Sequence, residues 1–321
     1  MSTIIEKLNE ILTIKNEIKG AIREKGGKIE DGTPFSNYPN CIRNIETGSG
    51  GDPIYEIVYN VKTDNGTNFD GLFREYKGVE LDVSSLKTSR AESMSEMFNG
   101  CEFLQSLDLS NFNTSRVRNM RDMFRACRDL QSLNLSNFNT SNVEEMNGMF
   151  GECNNLQSLD LSNFSTNNVR SMSNMFRECR NLQSLDLSNF NTSNVEEMSD
   201  MFSRCDNLQS LDLSNFNTSN VWRMNGMFGE CHNLQSLDLS NFNTSNVEDM
   251  NEMFYGCDSL RELYLRHCEN DTVSKIINSN EFPTGTVWDK DAEKEITRKI
   301  YCGSKYVEGL EAPDGWEFIT E

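Results

Sequence analysis

The sequence predicts an α/β solenoid of about eight coils of 26 residues, each with one short strand and one short helix. The first observation behind this prediction is the phrase M-x-x-M-F-x-x-C-x-x-L-x-x-L-x-L-S-x-F-x-T-x-x-V, which returns every 26 residues. The second is the L-x-L stretch in each copy, which has the period of two of a half-buried strand. The third is a stripe of apolar residues spaced three or four apart, as on one helix face.

The cysteines follow the same period. Seven of them stand 26 residues apart: Cys101, Cys127, Cys153, Cys179, Cys205, Cys231 and Cys257. A single coil cannot bury its own apolar face, but neighbours stacked ~4.8 Å apart can. We therefore expect core ladders of Leu, Phe, Met and Cys. The cysteines should be free thiols, because β carbons stacked about 5 Å apart are too distant for a disulfide.

Within one coil, the two regular elements can be assigned to residues. The helix is predicted by an apolar stripe: Val143, Met146, Met149, Phe150 and Cys153. Ser141 and Glu144 fit a capping box at the start of this helix. Leu159 and Leu161 predict the strand. Charges at variable helix positions alternate in sign between coils, which we expect to favour correct register, although each exposed pair contributes only about 0.2–1 kcal/mol.

The regions outside the repeat divide the chain further. We predict a helical attachment or oligomerisation segment, a flexible linker, an N-terminal cap, the solenoid and a C-terminal cap at 1–46, 47–53, 54–80, 81–268 and 269–321. A cap is needed because the last coil otherwise exposes its core. The apolar residues available for the C-terminal cap are Trp288, Ile296, Ile300, Tyr306, Leu310, Trp316 and Phe318.

The N-terminal segment carries an apolar stripe with heptad character. The oligomerisation candidates on it are Ile4, Leu8, Ile11, Ile18 and Ile22. Seams rich in isoleucine favour trimers, so the stripe predicts a homotrimeric coiled coil. An amphipathic helix packed on its own domain fits the same pattern, and both interpretations stay open.

Composition limits the classes of function. The formal net charge of -20 and the sequence pI near 4.6 disfavour nucleic acid and anionic lipid as partners. No run approaches the ~18 apolar residues of a membrane span, and the N-terminus lacks a secretory apolar region. Only two histidines occur, and no phosphate loop, nucleophile elbow or metal-binding motif is present. We therefore expect neither an enzyme nor a cofactor nor a metal.

One column on the outer strand face is acidic. It consists of Asp108, Asp160, Asp186, Asp212 and Asp238. Asn134 interrupts this column, and Tyr264 closes it. Carboxylates about 5 Å apart repel by roughly 1 kcal/mol in water. The column is therefore either compensated by hydrogen-bond donors and solvent, or used as a ligand face for a glycan or Ca²⁺. Trp222, an aromatic among the variable helix positions, is a second candidate ligand contact.

The repeat phrase resembles the BspA-like branch of leucine-rich repeats over roughly residues 80–270. This resemblance implies a solenoid with a role in adhesion or recognition rather than catalysis. Well-known members of that branch are bacterial surface proteins with export signals, which the N-terminus here does not show.

The stretch KLNEILTIKNEIKGAIREKGGKIEDGTPFSNYPNCIRNI at 7–45 is similar to a segment of bacteriophage tail and fibre proteins. This resemblance implies a virion protein that is made in the bacterial cytoplasm and released by lysis. Its partners would be other virion proteins and a host-surface protein or glycan. We therefore predict a phage tail fibre, head fibre or decoration protein. The alternatives are an intracellular or non-classically exported scaffold for a protein partner, and a bacterial surface adhesin.

Overall fold

The computed structural model describes residues 19, 20, 23, 67–84, 86–289 and 292–320. The linker at 47–53 lies outside the described residues. So do the predicted oligomerisation residues Ile4, Leu8, Ile11, Ile18 and Ile22.

The repeat forms a stack of coils that are joined by parallel backbone bridges. In the described part of the chain, isolated bridges connect successive coils at Asn68↔Ser93, Ser93↔Asn119, Asn119↔Glu145, Glu145↔Ser171, Ser171↔Glu197, Glu197↔Arg223 and Arg223↔Asp249. The stack therefore begins before residue 81, within the segment predicted as an N-terminal cap.

The segment predicted as a short helix in each coil is a run of consecutive turns, and 67–84 and 86–269 contain no helix. Alternate N–H groups donate to the next coil: Met120 to the Glu145 carbonyl at 2.9 Å and Phe124 to the Met149 carbonyl at 2.9 Å. Between them, Met123 donates to the Met120 carbonyl of its own coil at 3.2 Å. An α-helix would bond these N–H groups internally, four residues back, and leave none for the next coil.

Positive φ angles also exclude the predicted helix and its capping box. Gly148 has φ 65° and Glu152 has φ 60°, and both columns are left-handed in the neighbouring coils. L-residues in an α-helix keep φ negative. Ser141 does not cap a helix with Glu144, because its N–H donates to the Asn139 side chain at 3.0 Å. Successive tight turns bring every third or fourth residue inside, which produced the helix-like spacing.

The turns and L-x-L stretches enclose continuous ladders of buried side chains. The rings of Phe150 and Phe176 stack with centroids 5.8 Å apart and planes 8° apart. Leucine, methionine and cysteine occupy further ladders and are almost fully buried. The Cys153 thiol donates to the Phe124 carbonyl of the preceding coil at 3.2 Å. The nine described cysteines are free thiols, as expected.

The ladder thiols are expected to resist alkylation in the folded chain. Burial raises the pKa of Cys179 to about 12, and thiolates rather than thiols are the nucleophiles. Iodoacetamide at about pH 8 should therefore leave the seven ladder cysteines unmodified until urea unfolds the chain. Peptide mass spectrometry distinguishes each position. Native labelling of Cys153 or Cys179 would show that the stack opens under these conditions.

Regular elements are concentrated at the C-terminal end of the stack. In chain order they are β1 (Ser236–Asp238), β2 (Glu262–Leu265), α1 (Asn270–Ile277), β3 (Val287–Asp289), β4 (Lys294–Ile296), β5 (Arg298–Cys302), a 3₁₀ turn (Ser304–Tyr306) and β6 (Trp316–Thr320). The described strands form one parallel sheet of order β1-β2-β5-β6 and one antiparallel hairpin of β3 and β4.

The predicted strand is therefore absent from the coils between 86 and 235, where the L-x-L stretch is extended but unpaired. Side chains take the backbone groups that a ladder would use. Ser162 donates its N–H to Asp160 at 3.0 Å, and the Asn163 amide donates to the Leu135 carbonyl at 2.9 Å and the Phe138 carbonyl at 2.7 Å. The prediction of one strand and one helix per coil is thus wrong, whereas the stacked repeat is correct.

The C-terminal elements continue the core beyond the last repeat. Ile300 and Trp316 are buried, and Phe318 packs partly against the same core. Trp288, which the sequence suggested as part of this cap, is instead 57% exposed on the β3–β4 hairpin. The open end is therefore covered by α1, β5 and β6, whereas the hairpin buries Val287 and leaves Trp288 exposed.

Candidate functional site

The strand face is the surface made by the exposed residues of six consecutive phrases of the form L-Q-S-L-(D/N)-L-S-N. These phrases occupy 104–111, 130–137, 156–163, 182–189, 208–215 and 234–241. Leucines point inward and are buried, and Gln, Ser, Asp and Asn alternate with them on the outside. The stack places the same four residue types side by side from coil to coil.

The aspartates of this face accept hydrogen bonds within their own coil. In Asp108, Asp160, Asp186, Asp212 and Asp238 one carboxylate oxygen accepts the N–H of the serine two residues later. These backbone bonds, and then the serine hydroxyls, lower the pKa of the first four carboxyls. Asn134 accepts the Ser136 N–H in the same way at 3.0 Å. The column is thus compensated by donors, the first of the two interpretations.

No metal-binding geometry accompanies the column. Within residues 67–84, 86–289 and 292–320, no group of three or more His, Cys, Asp or Glu side chains could hold a metal ion. All five aspartates are exposed, and at Asp238 the second carboxylate oxygen lies 3.9 Å from the Arg266 guanidinium. The column can therefore accept hydrogen bonds from a ligand without rearranging the turn.

The aspartate turns are expected to make stability depend on acid pH. A carboxyl whose pKa is lowered on folding stabilises the fold above the ordinary Asp pKa of about 3.9, and this is lost as pH falls through the lower folded value. We expect urea midpoints to fall more steeply below about pH 4 in the natural chain than in a variant with Asp→Asn at 108, 160, 186 and 212. Asparagine keeps the acceptor, as Asn134 shows. Parallel curves would contradict the assignment.

The glutamine and serine columns of the strand face differ from the other two. The asparagine amides bind carbonyls of the preceding coil, as Asn189 does with Leu161 at 2.9 Å and Phe164 at 2.8 Å. By contrast, the side chains of Gln157 and Ser158, and of their copies in the other five phrases, make no hydrogen bond to any described residue. All six glutamines are exposed. The sequence analysis did not identify these columns as candidate ligand contacts, although the same two residues recur in all six phrases.

Tyr264 closes the acidic column but is held by its neighbours. Its ring stacks on Tyr301 with centroids 4.5 Å apart and planes 11° apart. Its hydroxyl donates to Glu262 at 2.7 Å, and the Arg266 guanidinium lies 4.5 Å from the ring centroid. Burial, with help from Glu262, raises the pKa of Tyr264 to about 12. The ring therefore ends the strand face as a packed structure and offers little open surface.

Trp222 lies on the opposite, turn side of the coils, away from the aspartate column. It is half-buried, and the Arg223 guanidinium covers its ring at 4.3 Å from the centroid. Its backbone N–H donates to the Glu196 carbonyl of the preceding coil at 3.0 Å. The structure thus does not bring Trp222 together with the other candidate residues.

The turn side carries ion pairs between coils. In the columns predicted to alternate in charge, Arg118 pairs with Glu144 at 2.8 Å. A denser set lies beside the cysteines, which the sequence analysis did not single out: Arg125–Glu152 at 2.9 Å, Arg128–Glu152 at 3.1 Å, Arg204–Glu178 at 3.6 Å and Arg204–Glu230 at 2.9 Å. Several of the residues that vary on this side therefore form ion pairs between neighbouring coils, which favours their stacking.

Stacked coils with leucines in register and a regular polar face define a repeat solenoid of the leucine-rich type, a class that is typically non-enzymatic. A family model described as "Mycoplasma protein of unknown function, DUF285" matches residues 55–132, 104–185 and 181–284. These matches cover more than half of the chain, which belongs to this family.

Other comparisons add little. A leucine-rich repeat protein from Bacteroides ovatus ATCC 8483, solved at 1.19 Å resolution, is similar over 73% of this chain and 77% of its own, with 14% identity and a TM-score of 0.27. At that TM-score the similarity supports no argument. No curated protein matches the chain. Among the described residues, no helix is long and apolar enough to span a membrane.

Proposed function

We propose that this protein is a non-enzymatic recognition solenoid that binds its ligand on the strand face. The observation that carries the proposal is the constancy of the exposed Gln and Ser columns in six consecutive coils. The fold does not require the same residue at these positions, because these side chains form no hydrogen bond with any other described residue. The turn side, in contrast, changes residue type from coil to coil.

The spacing of the columns favours a repetitive ligand. Equivalent side chains on successive coils lie ~4.8 Å apart, so one extended ligand can meet the same donors and acceptors several times. Amide, hydroxyl and carboxylate groups are suited to hydroxyl-rich molecules such as glycans. Each contact is weak, but linked contacts raise the overall affinity strongly. A surface glycan or glycoprotein is therefore the ligand class that we propose.

The place of action that we propose is the surface of a phage virion, as a tail fibre, head fibre or decoration protein. Its support is the similarity of residues 7–45 to phage tail and fibre segments. A trimer formed through the N-terminal stripe would multiply the number of strand faces. Mass spectrometry of purified virions from a producing lysate tests this localisation, and absence of the protein from intact particles would favour the scaffold alternative.

Binding to an immobilised panel of bacterial polysaccharides tests the strand face. The full chain is compared with a Gln157→Ala/Gln183→Ala/Gln209→Ala variant and a matched turn-side variant, Arg170→Ala/Glu196→Ala/Trp222→Ala. We expect the first variant to lose at least about tenfold in affinity, since each lost hydrogen bond contributes about 0.5–1.5 kcal/mol. The turn-side variant should bind normally. The reverse result would place recognition on the turn side and support a protein-docking scaffold.

A further inference from the structure

The last strand of the sheet has one edge without a partner among the described residues. β6 lies at the end of the order β1-β2-β5-β6. It pairs with β5 along all five of its residues, from Trp316 opposite Arg298 to Thr320 opposite Cys302. Within 67–84, 86–289 and 292–320, no strand lies on its other side. Such an edge offers N–H and C=O groups to an added strand.

The register identifies the groups at this edge. Across the pair, the Arg298 N–H donates to the Gly315 carbonyl at 2.9 Å. Backbone groups of consecutive residues in a parallel strand point alternately to its two sides. Gly315 and every second residue after it therefore direct their backbone groups to β5. Phe318 and Thr320 belong to the other set and direct theirs to the open edge. Thr320 is exposed, so an approaching chain can reach its N–H.

The surroundings of the edge are acidic. The stretch 306–320 contains no Lys or Arg, and its carboxylates are Glu308, Glu311, Asp314 and Glu317. None of the four forms an ion pair with a described residue, whereas carboxylates on the turn side are paired repeatedly. On β5, Lys299 lies opposite Glu317 in the register, but the two side chains form no ion pair. This end of the sheet therefore combines unpaired backbone groups with carboxylates that are bound to no cation of the described residues.

We propose that the open edge of β6 binds an extended basic segment of a partner protein as a fifth strand. The backbone of Phe318 and Thr320 supplies the hydrogen bonds, and main-chain pairing of this kind gives affinity in strand addition. The Glu317 carboxylate selects Lys or Arg on the same face of the added strand, and Ile319 beside it accepts an apolar residue. This surface is distinct from the Gln and Ser columns of the strand face.

A second copy of the chain fits the edge less well. It would bring the same four carboxylates and a formal charge of -20 against an identical charge. Charge thus protects the edge against self-pairing and admits a basic strand.

The test uses the full chain and an acetylated, amidated peptide of sequence KVKVK, followed by isothermal titration calorimetry. Thr320→Pro removes the N–H at the open edge, and Thr320→Val keeps it as the matched control. We expect the proline variant to lose about fivefold or more in affinity, as for one hydrogen bond of about 1 kcal/mol, and the valine variant to bind normally. Binding should weaken from about 50 to about 300 mM salt.

Two further probes keep the result independent of how the variants fold. A KVKVK peptide that is N-methylated at every backbone amide between its residues has no N–H there to donate to a strand edge, and EVEVE carries the opposite charge. Both should fail to bind the natural chain. The proposal is overturned if the methylated or the acidic peptide binds equally, if KVKVK does not bind, or if Thr320→Pro and Thr320→Val behave alike. A dimer in light scattering that Thr320→Pro abolishes would assign the edge to a second copy.

Discussion

Phe176→Ala is expected to lower the free energy of unfolding by about 3–5 kcal/mol. The Phe176 side chain is fully buried, and its ring stacks on Phe150 and Phe202, each with centroids 5.8 Å away. Removing it breaks the phenylalanine ladder in the middle of the stack and leaves a cavity between two coils. Neighbouring coils cannot collapse into that space without losing their own register.

Urea unfolding followed by circular dichroism measures this loss, with Phe103→Ala as the control. Phe103 is 46% exposed, so its truncation should change stability by about 0.5 kcal/mol or less. We also expect the unfolding curve of the Phe176 variant to broaden into two steps, because each coil contacts only its neighbours. Equal effects of the two substitutions would contradict a continuous ladder.

Thr166→Val is expected to be nearly as damaging, although it hardly changes the volume of the side chain. The buried Thr166 hydroxyl donates to the Asn191 carbonyl at 2.9 Å and accepts the Asn191 N–H at 2.7 Å. Valine removes both bonds. The cost is about 1–3 kcal/mol for each buried group that is left without a partner.

The same urea measurement includes Thr166→Ser and Ser158→Ala. Serine keeps the hydroxyl, so Thr166→Ser should recover most of the stability, whereas loss of the exposed Ser158 hydroxyl should have little effect. If Thr166→Val and Thr166→Ser lose stability equally, the methyl group and not the hydroxyl would be what the site needs. The Thr166 side chain would then stabilise the fold by packing and not by its hydrogen bonds.

Much of this molecule could be predicted from one coil of sequence. The recurrence of Cys153 and Phe150 every 26 residues required identical coils, and identical coils bury apolar faces only by stacking. The inward and outward alternation around Asp160 followed from the period of two. The aspartate column was therefore located correctly on an exposed face, and its donors were one of the two predicted explanations.

The turn run could not be predicted from spacing alone. Residues three or four apart lie on one face both in a helix and in consecutive tight turns, so Met146 and Cys153 could not distinguish the two. The deciding signal was local: the column of Gly148 holds Gly, Asp or Asn in five coils, the residues that best tolerate positive φ, and Glu only in the two outer coils, at Glu96 and Glu252. The carbonyl that accepts each N–H group donated between coils lies in the next coil, about 25 residues away, and no local sequence feature identifies it.

The proposed binding surface was only partly among the sequence predictions. The sequence analysis proposed Asp and Trp residues as ligand contacts because their chemistry is distinctive. Gln157 and Ser158 were not proposed, because they resemble ordinary uncharged surface residues. The structure separates them by hydrogen bonding: aspartate and asparagine serve the fold, and the Gln and Ser side chains do not bond to it. The Gln and Ser columns are constant although their side chains make no hydrogen bond within the described part of the fold. This could be recognised only once the hydrogen bonds of the four columns were known.

The central claim is that identical coils stack through their own backbone, since the strand face exists only if they do. Hydrogen–deuterium exchange by NMR tests it at four amides that donate across one coil boundary: Met120, Asp122, Phe124 and Ala126. We predict slow exchange at all four, a carbonyl partner in the next coil detected by couplings across the hydrogen bonds, and a far-UV spectrum of low helix content. Couplings to carbonyls four residues back, with a helical spectrum, would contradict the account.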